Sequence, residues 1–104
     1  MKKLSLPSAS GSWLVRNDDI SHISSEGERY CWIVLTNGKK KLIHITLCNL
    51  IEKLPKPPFY QVNDSTIIHI NQLKRILTEG GMQIVLLSGA SFPVSAELIG
   101  GLGK

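Results

Sequence analysis

The stretch from Phe59 to Ile76, FYQVNDSTIIHINQLKRI, constrains the fold more tightly than any other part of the chain, because two extended apolar runs meet in it at a polar knuckle. The runs are Phe59 to Val62 and Thr66 to Ile70. Between them, Asn63, Asp64 and Ser65 put three hydrogen-bonding side chains on consecutive residues, which between strands reads as a bend pushed into solvent. A strand pair that ends this way presents its tip to something outside the core.

The rest of the chain supplies strands and one helix to support that tip. Lys3 to Leu6 reads as a strand closed by Pro7, and Ser8 to Ser12 as a turn into a second strand, Trp13 to Arg16. Asn17-Asp18-Asp19 reads as a turn or a single turn of helix, with Asn17 placed as an N-cap, before a strand around Ile20 to Ser24. After the polar loop Ser25 to Arg29, the run YCWIVL (Tyr30 to Leu35) is apolar on both faces, which predicts a central strand buried between two layers. Asn37-Gly38 predicts a type I′ hairpin turn. The lysines that follow, Lys39, Lys40 and Lys41, suit either a solvated strand edge that blocks unwanted pairing or a phosphate-contacting patch.

From Ile45 to Leu54 the period changes from two to 3.6. Leu47, Leu50, Ile51 and Leu54 share one face, Thr46 stands where an N-cap is needed, and Pro55, Pro57 and Pro58 end the helix, which is expected over about 46–54. Beyond the knuckle, Asn71 to Leu73 reads as a turn. Lys74 to Thr78 and Gln83 to Leu87 read as strands joined at Gly80-Gly81, and Ser91 to Val94 as a last strand before a short helix capped by Ser95. The fold expected is mostly β and antiparallel, with one amphipathic helix and short helical turns. Its core is expected to hold Trp32, Val34, Leu47, Leu50, Ile51, Leu54, Ile67, Ile84 and Leu86.

Composition narrows the function classes. With 104 residues, 42% of them hydrophobic and 19% charged, the chain reads as a single domain over residues 1–104, with room for no receiver or enzyme domain. No apolar run approaches the roughly 20 residues of a membrane span, and Met1 to Trp13 lacks the apolar stretch of a signal peptide, so a soluble cytoplasmic domain is expected. Cys31 and Cys48 lie in apolar segments without C-x-x-C spacing, as a pair of reduced buried thiols would. His22, His44 and His69 stand singly, with no second ligand at metal-binding spacing. There is no nucleophile elbow and no glycine-rich phosphate loop. No catalytic residue, metal, cofactor or small-molecule substrate is therefore expected. A net charge of +4 tilts the chain toward polyanions, although a small domain also carries such a charge for solubility alone.

The knuckle resembles the hallmark of LytTR-type DNA-binding domains of bacterial transcription regulators, which runs roughly F-x-R-x-H-R-S-Y-I-V-N, then a short turn and I-K-x-I. Phe59, Ser65, Ile67, Ile68, Lys74 and Ile76 fit it. Other points agree: Asp19-Ile20 after a polar turn, E-G-x-x-Y from Glu26 to Tyr30, T-N-G-K from Thr36 to Lys39, the helix before the prolines, and F-P-V-S from Phe92 to Ser95. The resemblance runs from about Ile20 to Ser95. It implies a mostly β domain of stacked short antiparallel sheets that lays loops from one edge into successive major grooves of double-stranded DNA, with pairs of copies on repeated half-sites.

Three places should then face DNA: the loop ending at Arg29, the knuckle Asn63-Asp64-Ser65, and the segment just after Pro93-Val94-Ser95. Lys39, Lys40 and Lys74 are the further candidates for DNA contact. The sequence departs from the family where it matters most, with Gln61 for an Arg, Asn63 for a His, Asp64 for an Arg, His or Asn, Thr66 for a Tyr, His69 for an Asn and Ala96 for an Arg. Arg can bond guanine bidentately or neutralise a phosphate, whereas Asp can only accept, from cytosine N4, and is repelled by phosphates. Two readings follow. One is sequence-specific DNA binding in transcription regulation; the other is a LytTR-like domain whose DNA surface has decayed into a protein-interaction or regulatory module. One basic face shared by Arg29, Lys39 to Lys41, Lys74 and Arg75 with the knuckle supports the first; a scattered arrangement supports the second.

Overall fold

Strand β7, Thr66–His69, lies at the centre of the architecture, and all four of its residues are buried. The computed structural model describes residues 3–8 and 11–95. Around β7 the chain forms a five-stranded antiparallel sheet in the order β5-β4-β3-β7-β6, built from β3 (Ile20–Glu26), β4 (Tyr30–Leu35), β5 (Lys40–Ile43) and β6 (Phe59–Asn63). A three-stranded sheet, β10-β9-β8, is made by β8 (Leu73–Leu77), β9 (Gln83–Leu86) and β10 (Ser91–Pro93), and a two-stranded hairpin by β1 (Lys3–Ser8) and β2 (Gly11–Arg16). The stacked short antiparallel sheets expected from sequence are present.

Alternation along the strands splits the apolar residues between two cores. On one face of the five-stranded sheet, Ile23, Ile33, Ile67 and Phe59 pack with Leu6 and Val15 of the hairpin and with Leu47, Leu50 and Leu54 of the helix α1, Leu47–Lys53. On the other face, Val62 and Ile68 pack with Ile84 and Leu86 of the three-stranded sheet. Ile67 and Ile68 are adjacent and serve opposite cores, so β7 is the strand enclosed between two layers.

Tyr30–Leu35 is not that strand. It has the predicted bounds, and Cys31 and Ile33 are buried, but Trp32 and Val34 are only partly covered and Tyr30 is 39% exposed. The three-stranded sheet covers the β6 and β7 side of the layer and leaves this face of β4 half open. There, Trp32 donates from Nε1 to Glu26 Oε2 at 2.8 Å, and Lys40 Nζ lies 5.4 Å from the Trp32 ring centroid. Ile51 is likewise only partly buried, while Ile84 and Leu86 belong to the second core.

The helix follows its sequence signals closely. Thr46 caps it by accepting from Asn49 N at 3.2 Å, and Leu50 is fully buried. Other local expectations are revised. Pro7 lies within β1, its carbonyl accepting from His44 N at 2.9 Å. In an antiparallel strand a residue's N–H and C=O point to the same side, so the absent N–H faces away from β2 and costs no ladder bond. Arg16, not Asn17, holds the N-cap position of the 3-10 turn Asn17–Asp19, with no side-chain cap bond, and Asn17 is buried. At Asn37-Gly38 only the glycine has positive φ, at 90°; Gly38 N donates to Leu35 O and Leu35 N to Lys39 O. The hairpin therefore has a three-residue loop rather than a type I′ turn. Cys48 is exposed, whereas Cys31 is buried and its thiol is pushed up to about 11 by burial. The helix expected after Ser95 lies outside the described residues. Among those residues no helix is long and apolar enough to cross a membrane.

Candidate nucleic-acid interface

Antiparallel register fixes which loops share an end of the molecule. β3 pairs Glu26 with Tyr30 of β4 and Ser24 with Thr66 of β7, so the turn Gly27 to Arg29 and the knuckle Asn63 to Ser65 emerge side by side. Ser25 N donates to Ser65 O at 2.9 Å and closes the gap between them.

The knuckle is organised by Asn63. Its Oδ1 accepts from Ser65 N at 2.8 Å and from Ser65 Oγ at 3.1 Å, an Asx-type turn that holds Asp64 and Ser65 outward, both exposed. Its Nδ2 donates to Pro93 O at 2.7 Å, and Gln61 Nε2 donates to Asn63 O at 3.1 Å. Ser95 N donates to Val62 O at 2.7 Å, and Val94 N to Met82 O at 3.0 Å. The segment after Pro93 is thereby bound to the knuckle on the side away from Arg29.

The turn Gly27 to Arg29, the knuckle Asn63 to Ser65 and the stretch Pro93 to Ser95 thus form one row, in that order, whereas the segment just after Ser95 that the sequence singles out lies outside the described residues. Arg29, Asp64 and Ser65 are exposed along the row. Asn63 has an acceptor and a donor already engaged inside the row, so its geometry is that of a clamp. Gln61, which stands where the family pattern has an arginine, supports the clamp from behind. Neither role was visible as chemistry in the sequence, although Asn followed two residues later by Ser is a recognisable Asx-turn signal.

The remaining cations do not join the row. Lys39 and Lys40 follow the turn at the other end of β4, and six residues of strand separate the two ends by about 17 Å. Lys74 and Arg75 are exposed on β8, the outer strand of the three-stranded sheet, at the register irregularity opposite Leu86 and Val85. Glu28 is exposed beside Arg29, and Glu26 and Asp64 are exposed at the same end, so carboxylates accompany Arg29 along the row. No group of three His, Cys, Asp or Glu side chains that could hold a metal ion occurs among the described residues.

A second polar cluster stands behind β7. His69 is 1% exposed, accepts at Nδ1 from Asn71 N at 3.1 Å, and so caps the 3-10 turn Ile70–Gln72. Its Nε2 lies 3.4 Å from Asp18 Oδ1 without completing a hydrogen bond, and its ring meets Phe59 edge-on at 5.1 Å. Burial lowers its pKa below the ordinary 6.5, and Asp18 opposes that shift.

Three short stacked sheets with a row of loops tied together at one end define a β domain that reaches outward with turns rather than with a helix. The family model of the LytTr DNA-binding domain matches residues 10–103, and the chain belongs to that family. Its fold is also that of the solved LytTr DNA-binding domain of a Bacillus cereus protein described as a methyl-accepting/DNA response regulator. That likeness has a TM-score of 0.77 at 17% identity, covering 98% of this chain and 94% of the other. No curated protein sequence matches the chain.

Proposed function

We propose that this chain binds double-stranded DNA in transcription regulation, with the row formed by Gly27 to Arg29, Asn63 to Ser65 and the residues after Pro93 entering the major groove. The observation that supports this most is the continuous set of hydrogen bonds joining the three segments, from Ser25 to Ser65 and from Asn63 to Pro93. Loops tied in this way lose little further conformational freedom on docking, which favours affinity. Arg29 supplies a guanine or phosphate contact, Ser65 a donor and acceptor at the tip, and Asp64 an acceptor for cytosine N4. Asn63 acts chiefly by holding Asp64 and Ser65. Lys39 and Lys40 contribute a general attraction to the polyanion from outside that groove, and Lys74 a phosphate contact at the flank.

A protein-interaction module on the same fold is the second reading, favoured by the acids Glu28 and Asp64 in the row and by the distance of Lys39 and Lys40 from it. Titration against a pool of random duplexes at two salt concentrations separates the two. DNA binding predicts a retained sequence and an affinity that falls with salt, by about 0.9 log units per phosphate contact for each log unit of salt. Asp64→Asn should tighten binding to all sequences, or weaken it at one cytosine position if Asp64 reads that base. Absence of any retained sequence, with no salt dependence, leaves the interaction module.

A further inference from the structure

Exposed strand edges invite pairing, and proteins usually blunt them with lysine, proline, bulges or cover. The outer strands of the three sheets are β1, β2, β5, β6, β8 and β10. β5 carries Lys40 and Lys41; β8 carries Lys74, Arg75 and a register irregularity. β10 is three residues long and contains Pro93, whose carbonyl is held by Asn63. β6 has a register irregularity, and its ends are bonded to neighbouring chain through Phe59 N to Pro55 O and Ser95 N to Val62 O. β1 has Pro7, with its carbonyl bonded to His44 N. β2, with the sequence GSWLVR, has no lysine, no proline and an unbroken register over all six residues.

The orientation of that edge follows from Pro7. Because the Pro7 carbonyl points away from β2, the Pro7 and Ser12 pair is a non-hydrogen-bonded pair, and the pattern alternates from there. Ser12 and Leu14 therefore aim their backbone N–H and C=O groups outward, and Arg16 its N–H, the Arg16 C=O being taken up by the 3-10 turn that it precedes. Leu14 is 66% exposed, more than any other large hydrophobic side chain among the described residues. An open cleft of about 350 Å³, lined by Trp13, Arg16, Asp19 and Leu35 among others, lies beside this edge.

We propose that β2 pairs with β2 of a second copy of this chain, antiparallel, about a two-fold axis at Leu14. Only a register centred there lets Ser12, Leu14 and Arg16 all take part across the edge, Arg16 through its N–H alone; centring on Trp13 or Val15 leaves one of the three unpaired. The same register sets Leu14 against Leu14 of the second copy, Trp13 against Val15, and Arg16 against Ser12, so the strand's cation never opposes itself. The pair leaves the row of loops free. Arg16 leads into Asn17–Asp19, and Asp19 O accepts from Thr36 N, at the end of β4 opposite Arg29. The edge is short, so the dimer belongs to the small, transient class of interfaces, with a Kd on the order of 0.1 mM.

The test is made in solution without DNA, so it stands apart from the DNA reading. Sedimentation equilibrium of the full chain should show a monomer–dimer equilibrium. Ser12→Pro, which removes an outward N–H and no bond within the hairpin, and Leu14→Lys should each weaken it at least about tenfold with unchanged circular dichroism. In a Cys48→Ser background, Leu14→Cys should oxidise to a linked dimer, because directly opposed residues of a bonded pair have Cα atoms about 5.5 Å apart, within disulfide reach. Ser12→Cys should not, since the axis at Leu14 separates its two copies by about 13 Å along the strands. A protein monomeric to about 1 mM, well above the expected Kd, overturns the proposal. So does association unaffected by Leu14→Lys, or equal linking of Ser12→Cys and Leu14→Cys.

Discussion

Asn63 Nδ2 donates to the carbonyl of Pro93 across 2.7 Å, joining residues thirty positions apart in the chain. With Asn63 Oδ1 simultaneously accepting from Ser65 N, one side chain sets the shape of the knuckle and its attachment to the end of β10. The two functions can be separated. Asn63→Asp keeps an acceptor for Ser65 N but faces Pro93 O with a second acceptor, so the turn should survive while the attachment breaks. Amide hydrogen exchange should then show Ser65 still protected and Ser95 exchanging faster. Equal protection of Ser95 in both proteins would mean the bond to Pro93 does not hold the segment.

His69 makes stability depend on pH. Its Nδ1 is an acceptor for Asn71 N, so protonation would set a donor against a donor, and burial lowers its pKa. Burial lowers the pKa of His22 as well. A group whose pKa is lowered in the folded state takes up its proton more readily when unfolded, so this contribution is complete above about 6.5 and is lost as pH falls below it. The denaturation midpoint should therefore drop between pH 7 and pH 5, and His69→Asn should reduce the drop. Asp18→Asn should move the His69 titration lower still, measured by the imidazole proton shifts.

Leu50 anchors the helix. It is fully buried among the hairpin and sheet residues of the first core, so Leu50→Ala should cost roughly 2 to 5 kcal/mol in denaturant unfolding. Leu14→Ala, at an exposed position, should change monomer stability by less than about 0.5 kcal/mol. Similar losses at the two positions would contradict the packing described.

Much of this architecture is legible from local pattern. Thr46 and the Leu47, Leu50, Leu54 spacing announce the helix, and the strands on either side of the knuckle follow their apolar runs. What local pattern does not carry is which layer covers which strand. Tyr30–Leu35 is the more apolar run in sequence, yet Thr66–His69, with Thr and His at its ends, is the one covered on both faces, because the three-stranded sheet stacks over β6 and β7. The same holds at the interface. The turn at Arg29 and the knuckle are marked by their polar residues, but the clamp from Asn63 to Pro93 spans thirty residues, and the separation of Lys39 and Lys40 from the knuckle appears only with the register of β3, β4 and β7.

The row as a single DNA-contacting edge is tested most directly by mapping backbone amide shifts while a bound duplex is titrated in. The account predicts that the largest changes fall at Arg29, Asp64, Ser65 and Ser95, with Lys39 to Lys41 and the β2 residues Ser12 to Arg16 little changed. Changes concentrated at Lys39 to Lys41 with the knuckle silent, or no changes with any duplex, would contradict it.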